Sequence, residues 1–154
     1  MDSKNRIKRP DLVLPDLSFE VVGACFEAYN EVGFGHKEKV YYKAIAICLE
    51  KRGLPFVQQK KIPLFCHGRK IGDYVFDFVI ADQIILELKV GDRFKLSDYK
   101  QLKSYLISLN KPLGLLVRFG EDGVTYNRIL PPTRPKFVDS PCPPKLGDGG
   151  CKNS

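Results

Sequence analysis

Apolar positions recur along this chain with two different periods, and the switches between them divide it into elements. From Leu17 onward, Val22, Cys25, Phe26, Tyr29 and Val32 keep the i, i+3, i+4, i+7 spacing of one helix face. Asp16 or Ser18 is placed to cap this helix, and Gly33-Phe34-Gly35 ends it. A second helix is predicted from about Lys37 to Arg52, with Val40, Tyr41, Ala44, Ile47, Cys48 and Leu49 on its apolar face. Gly53 stands where a left-handed closing residue belongs, and Pro55 prevents further helix. The period then shortens to two. Phe56–His67, Lys70–Ile80 and Ile84–Val90 read as strands, and their links at Gly68-Arg69 and Ala81-Asp82-Gln83 are short enough to require antiparallel hairpins. Gly91–Leu96 reads as a loop. Helical spacing returns over Ser97–Leu109, through Tyr99, Leu102, Tyr105, Leu106 and Leu109. Leu113–Phe119 is a nearly unbroken apolar run, as expected of a buried strand beside a crossover helix. Gly120–Gly123 then turns the chain into a last strand, Val124–Leu130.

The predicted order is α-α-β-β-β-α-β-β, one α/β domain over residues 17–130 with three layers around a mixed sheet. Residues 1–16 read as a basic flexible arm, and the Pro- and Gly-rich stretch 131–154 as a disordered tail. Lys and Arg number 25 against 18 acidic residues, a net charge of +7. That excess favours a polyanionic partner, nucleic acid ahead of an anionic membrane surface. No apolar stretch approaches the roughly 18 residues of a membrane-spanning helix. Met1–Pro10 is charged and no apolar run follows it, so it does not read as a signal peptide. The five cysteines include no C-x-x-C pair, and neither His36 nor His67 is spaced with a Cys as a zinc ligand would be. Reduced thiols in a cytoplasmic protein are the plain reading.

Chemistry enters with the charged residues that interrupt the apolar patterns. In Ile84-Ile85-Leu86-Glu87-Leu88-Lys89-Val90, side chains at i and i+2 share a face, so Glu87 and Lys89 stand together. Upstream, Tyr74–Ile80 carries a lone Asp77 among aromatic and β-branched residues. Glu38 falls in the first turn of the second helix, and Gln101 and Tyr105 are i, i+4 neighbours on the third. Each has an ordinary explanation. A first-turn carboxylate favours the helix dipole, Glu87 and Lys89 are plausible cross-strand partners for a structural ion pair, and Tyr105 suits a core tyrosine. As a set they are more specific. Asp77 and Glu87 lie on hairpin-linked strands and are expected to converge, supplying with a strand carbonyl the hard oxygen ligands that Mg²⁺ takes while keeping several waters. Lys89 would then orient a water or stabilise charge on a phosphate.

The ordered series is Gly35-His36-Lys37-Glu38-Lys39-Val40-Tyr41, Gly53, Gln58, Ile62-Pro63, Gly68–Gly72, Asp77, Glu87-Leu88-Lys89, Gln101–Leu106 and Gly114–Gly120. It resembles the PD-(D/E)XK nuclease superfamily, and within it most closely the small bacterial and archaeal group called GxxExxY or GxxExxR proteins. The resemblance spans roughly residues 17–130 and implies a restriction-endonuclease-like core. It implies Asp77, Glu87 and the Leu88 carbonyl as metal ligands, with Glu38 as a further carboxylate, Lys89 as the catalytic lysine, and Gln101 and Tyr105 as helix residues serving the site. Two departures from the group stand out: His36-Lys37 where apolar residues are usual, and Arg118 where Asn is more usual. Lys37, Arg93, Lys95 and Arg118 are the expected phosphate contacts within the domain.

The leading expectation is a Mg²⁺-dependent phosphodiesterase, with Mn²⁺ able to substitute, acting on DNA ahead of RNA. The rival is a nucleic-acid-binding or accessory module with the same fold and little turnover of its own. Lys4, Arg6, Lys8 and Arg9 give the N-terminal arm its charge. Each phosphate neutralised contributes about −0.9 to the slope of log K against log salt on duplex DNA. Deleting residues 1–10 is therefore expected to make that slope shallower in full-length against truncated protein. Equal slopes would remove the arm from the interface.

Overall fold

The computed structural model describes residues 12–132. Its elements follow in the predicted order: α1 (Pro15–Val32), α2 (Glu38–Lys51), β1 (Phe56–Cys66), β2 (Arg69–Ile80), β3 (Ile84–Val90), α3 (Leu96–Leu109), β4 (Leu113–Gly120) and β5 (Gly123–Ile129). The strands form one sheet in the order β1-β2-β3-β4-β5. β3 and β4 are parallel, joined through α3, and the other neighbours are antiparallel. A parallel step needs a crossover, and α3 supplies it.

Two cores lie on opposite faces of the sheet. Leu86, Leu88, Leu115 and Val117 point toward Val21, Cys25, Ile45 and Leu49 of α1 and α2. Ile85, Val79 and Leu116 point toward Leu102, Tyr105 and Leu106 of α3. β4, covered on both sides, is buried along its whole length, which is why its sequence does not alternate. The arrangement is the three-layer α/β fold with a mixed sheet that the sequence pattern predicts, and it agrees with the restriction-endonuclease-like core that the resemblance implies.

The first helix begins differently from expectation. Its N-cap is Leu14, in the left-handed region at φ 50°, and Pro15 occupies the first turn, where its missing N–H costs nothing. Neither Asp16 nor Ser18 caps it. Ser18 is buried, donates to the Pro15 carbonyl at 3.2 Å and accepts from Arg128. Arg128 also donates to the Val13 carbonyl, and Val13 and Leu14 pack on the core. Residues 12–16 therefore belong to the domain rather than to an arm. The basic residues Lys4, Arg6, Lys8 and Arg9 lie outside the described residues, as do residues 133–154 of the expected tail with Cys142 and Cys151. The first hairpin turns at His67-Gly68, one residue earlier than expected. Both have positive φ (48° and 75°), the combination that a two-residue type I′ turn needs. Among the described residues Cys25, Cys48 and Cys66 are free thiols, and no helix is long and apolar enough to cross a membrane.

α3 seats closely on β4 because Gly114 has no side chain. A Cβ there would stand 2.9 Å from Leu102 Cγ and 3.0 Å from its Cδ2. Gly114→Ala is expected to destabilise the domain by about 1–3 kcal/mol through overpacking. The result to look for is a lower denaturant midpoint at unchanged slope, and an unshifted midpoint would show that the layer yields freely.

Candidate active site

The site forms where the sheet's hydrogen bonding breaks. The β2–β3 ladder runs Ile80↔Ile84, Val79↔Ile85, Phe78↔Leu86, and stops. The next residues are Asp77 and Glu87. On β1 the register passes from Gln58↔Phe78 to Lys60↔Phe76, leaving Gln59 with φ 45° beside Asp77. Across this line the side-chain alternation of β2 slips. Phe78 joins the core under α1 and α2, whereas Phe76 joins the core under α3. In an unbroken strand the two would share a face.

The carboxylates take over the missing ladder bonds. Asp77 Oδ2 accepts the Leu88 amide at 2.7 Å, and Glu87 Oε1 lies 3.4 Å from the Asp77 amide. Each acid thus answers a backbone donor of the other strand, a group whose burial without a partner would cost about 1–3 kcal/mol. Tyr42 of α2 donates to the Asp77 carbonyl at 2.9 Å and stacks on Phe78 at 4.6 Å, fixing the strand at the break. Asp77 and Glu87 therefore converge as the sequence predicts.

Burial raises the pKa of Asp77, opposed by the Leu88 amide and by Lys89. Glu87 is 7% exposed, and burial, reinforced by the Asp77 charge, raises it too. Glu38, at the rim in the first turn of α2, is raised by partial desolvation and then by Asp77. Lys89 favours the ionised form of all three. Its Nζ lies 3.6 Å from Oδ1 of Asp98. The other oxygen of Asp98 accepts the Lys95 amide at 2.9 Å, so the start of α3 aims this carboxylate.

Glu38 is carried to the site by an aromatic knot. Tyr41 is buried, its ring 4.6 Å from Phe119 and 6.2 Å from Tyr29. Its hydroxyl donates to the Gly33 carbonyl at 2.7 Å, and Tyr29 donates to the Gly120 carbonyl at 2.7 Å. Gly35 turns the intervening loop at φ 98°. In that loop His36 has Nε2 on the Val32 carbonyl at 2.6 Å. The Gly-x-x-Glu-x-x-Tyr spacing thus has a mechanical meaning: glycine makes the turn, tyrosine anchors the helix, and glutamate faces the acids.

Of the remaining site residues, Tyr105 packs edge-on against Tyr74 at 4.4 Å and Phe76 at 4.5 Å. Burial and then Glu87 push its hydroxyl up to about 12. Gln101, one turn earlier, is exposed. Lys37 and Lys95 are exposed at the N-caps of α2 and α3, and Arg93 is exposed between β3 and α3. Arg118 is a correction to its expected phosphate role. It is 5% exposed, donates to the Gly91 carbonyl at 2.8 Å and pairs bidentately with Asp122 at 3.2 Å. That guanidinium fastens the end of β3 to the β4–β5 turn. Tyr42 and Asp98 were not singled out in the sequence. Tyr42 stands at i+4 from Glu38, a spacing that flags it; the pairing of Asp98 with Lys89 leaves no local signal.

The donors suit a hard divalent cation. The buried carboxylate of Glu87 and the half-buried one of Asp77 face each other with the Lys89 ammonium nearby, and Glu38 adds a third acid at the rim. Among the described residues no three His, Cys, Asp or Glu side chains are grouped so that they could hold a metal ion together. The pair Asp77 and Glu87 would offer one or two carboxylates to an ion that keeps its waters.

A sequence model of the PD-(D/E)XK nuclease superfamily matches residues 15–129. The chain belongs to that superfamily. Its members typically use divalent metals on nucleic acid. The fold is similar to that of a solved structure described as the crystal structure of SSO0001, at 14% identity and a TM-score of 0.48, covering 76% of this chain and 78% of that one. It is also similar to an alkaline exonuclease (LHK-Exo) from Laribacter hongkongensis, at 12% identity and a TM-score of 0.46, covering 73% and 68%. Comparison with curated proteins gives no match.

Raised carboxylate pKa values have a definite sign in stability. The folded protein holds protons that the unfolded chain releases, so stability is lost as pH rises above the ordinary carboxylate range of 3.8–4.5. Glu27, Asp82 and Asp122 are shifted the other way, and their contribution is already complete there. The melting temperature of metal-free protein is expected to fall between about pH 5 and about pH 8. Asp77→Asn with Glu87→Gln should flatten that fall, and equal profiles would show that the pair is not strained by its charge.

Proposed function

We propose that this chain hydrolyses phosphodiester bonds in nucleic acid, DNA ahead of RNA, as a member of the GxxExxY group of its superfamily. The observation that carries the proposal is the reciprocal embrace of Asp77 and Glu87 across the broken ladder, with Lys89 beside them. Asp77, Glu87, the Leu88 carbonyl and Glu38 would hold Mg²⁺, or Mn²⁺ in its place. Such an ion neutralises phosphate charge and makes water a better nucleophile at neutral pH. The protein's own part is positioning. The ammonium of Lys89, steadied by Asp98, donates to the attacking water or to a non-bridging phosphate oxygen, where charge develops. The water would attack in line as the opposite P–O bond breaks; its proton would pass to bulk water, the leaving oxygen would take one from there, and Glu38 would stay a carboxylate at the rim. Tyr105 supports the wall behind Glu87, Gln101 faces solvent one turn away for the substrate, and Lys37, Arg93 and Lys95 meet phosphate. A cytoplasmic place accords with the free thiols.

Labelled DNA and RNA substrates incubated with Mg²⁺ or Mn²⁺ are expected to be cut, DNA faster. Lys89→Ala should lower the rate by roughly 10²-fold or more while keeping the thermal stabilisation that the metal gives. Asp77→Ala should lose both. Undiminished cleavage by either variant would overturn the mechanism. Substrate binding without metal-dependent turnover in the wild type would leave a binding module instead.

A further inference from the structure

The β1–β2 hairpin outruns the sheet. β3 pairs with β2 only from Phe78 to Ile80, whereas β1 and β2 stay paired from Phe56↔Ile80 to Cys66↔Arg69. Beyond Asp77 the two strands therefore continue as a ribbon with no β3 ladder beside it. At ~3.3 Å per residue the stretch from Asp77 back to Arg69 reaches roughly 25 Å. An isolated two-stranded hairpin is marginal in water, and its base is held on one face: Tyr74 and Phe76 pack on Tyr105, and Ile62 joins the same core. Tyr105 thus fixes the direction in which the ribbon leaves the acids.

The ribbon's chemistry is uneven. Between residues 60 and 76 it carries Lys60, Lys61, Arg69 and Lys70 against a single acid, Asp73, which pairs with Lys70 at 3.1 Å. Lys60, Lys61 and Arg69 are exposed. Exposed apolar side chains accompany them: Phe65 at 58%, Ile71 at 69% and Val75 at 47%. Lysines and Pro63 on an edge strand also discourage sheet-to-sheet pairing, which makes a second copy of the chain a poor occupant for this edge.

We infer that the β1–β2 ribbon is a docking arm for duplex DNA, with Lys60, Lys61 and Arg69 on the phosphate backbone and the ribbon lying in a groove that leads to Asp77 and Glu87. The inference rests on the proposed nucleic-acid reading of the site and adds the surface that holds the substrate. A two-stranded ribbon is of a width that the major groove, about 12 Å across, admits. The charge complements the backbone, and the apolar side chains between the cations suit sugar edges and thymine methyl groups.

The test compares full-length wild type with the Lys60→Thr, Lys61→Thr, Arg69→Thr variant, in which threonine keeps strand propensity. A control loses two exposed helical charges, Lys43→Ala and Lys103→Ala. Binding to a labelled duplex, and to the matching single strand, is measured across a KCl series without divalent metal, with melting curves confirming that each variant folds. The ribbon variant is expected to flatten the duplex slope by about 0.9 for each lost contact, approaching three such steps, while the control keeps the wild-type slope. An unchanged slope in the ribbon variant, or an equal loss in the control, overturns the docking arm while leaving the nuclease reading intact. A flattened slope on the single strand alone overturns the duplex assignment. Wild type that binds neither probe overturns both readings.

Discussion

The break in the β2–β3 ladder is the constraint on which the site depends. A continuous ladder would pair Asp77 and Glu87 backbone to backbone and leave their side chains to the pleat. Here the strands part after Phe78↔Leu86, and the two carboxylates bind the amides that the parting exposes. The arrangement is costly: desolvation raises the pKa of both acids, and the Asp77 charge adds to the rise at Glu87. The packed layers on either side hold the two acids together against that cost.

Everything around the break holds it in place. α2 approaches because Tyr41 is locked between Phe119 and the Gly33 carbonyl, and Tyr42, on the next position, grips the Asp77 carbonyl. α3 approaches from the other face because Gly114 admits Leu102, and its first turn presents Asp98 to Lys89. Arg118, buried among its partners, closes the far end of β3. The charged residues therefore sit on helices and strands whose positions are set by apolar and aromatic contacts elsewhere, the rigid support that catalytic geometry requires.

Several misreadings share one cause. Asp16 and Ser18 are good capping residues, yet Pro15 starts the helix and Ser18 turns inward to Arg128, more than a hundred positions away in the chain. Arg118 looks like a phosphate ligand by its charge alone, but a partner four positions on and the Gly91 carbonyl just past the end of β3 absorb it. Local chemistry offers each of these residues a role, and a distant partner assigns it another.

Much of the protein was legible in its pattern of apolar positions. Periods of 3.6 and 2 marked the elements buried on one face, and the unbroken apolar run of Leu113–Phe119 marked the strand buried on both, because burial is a local demand that each element's own sequence must meet. The short hairpin links fixed which strands are antiparallel, and the isolation of Glu38, Asp77, Glu87 and Lys89 within apolar runs marked them as a set. What only the tertiary structure decided is how those residues meet. The slip in alternation at Asp77, the exchange of amides between the two acids, the pairing of Lys89 with Asp98 and the burial of Arg118 all depend on contacts between separate elements. No spacing along one segment encodes them, since they are set by the register and approach of neighbours that the segment itself does not contain.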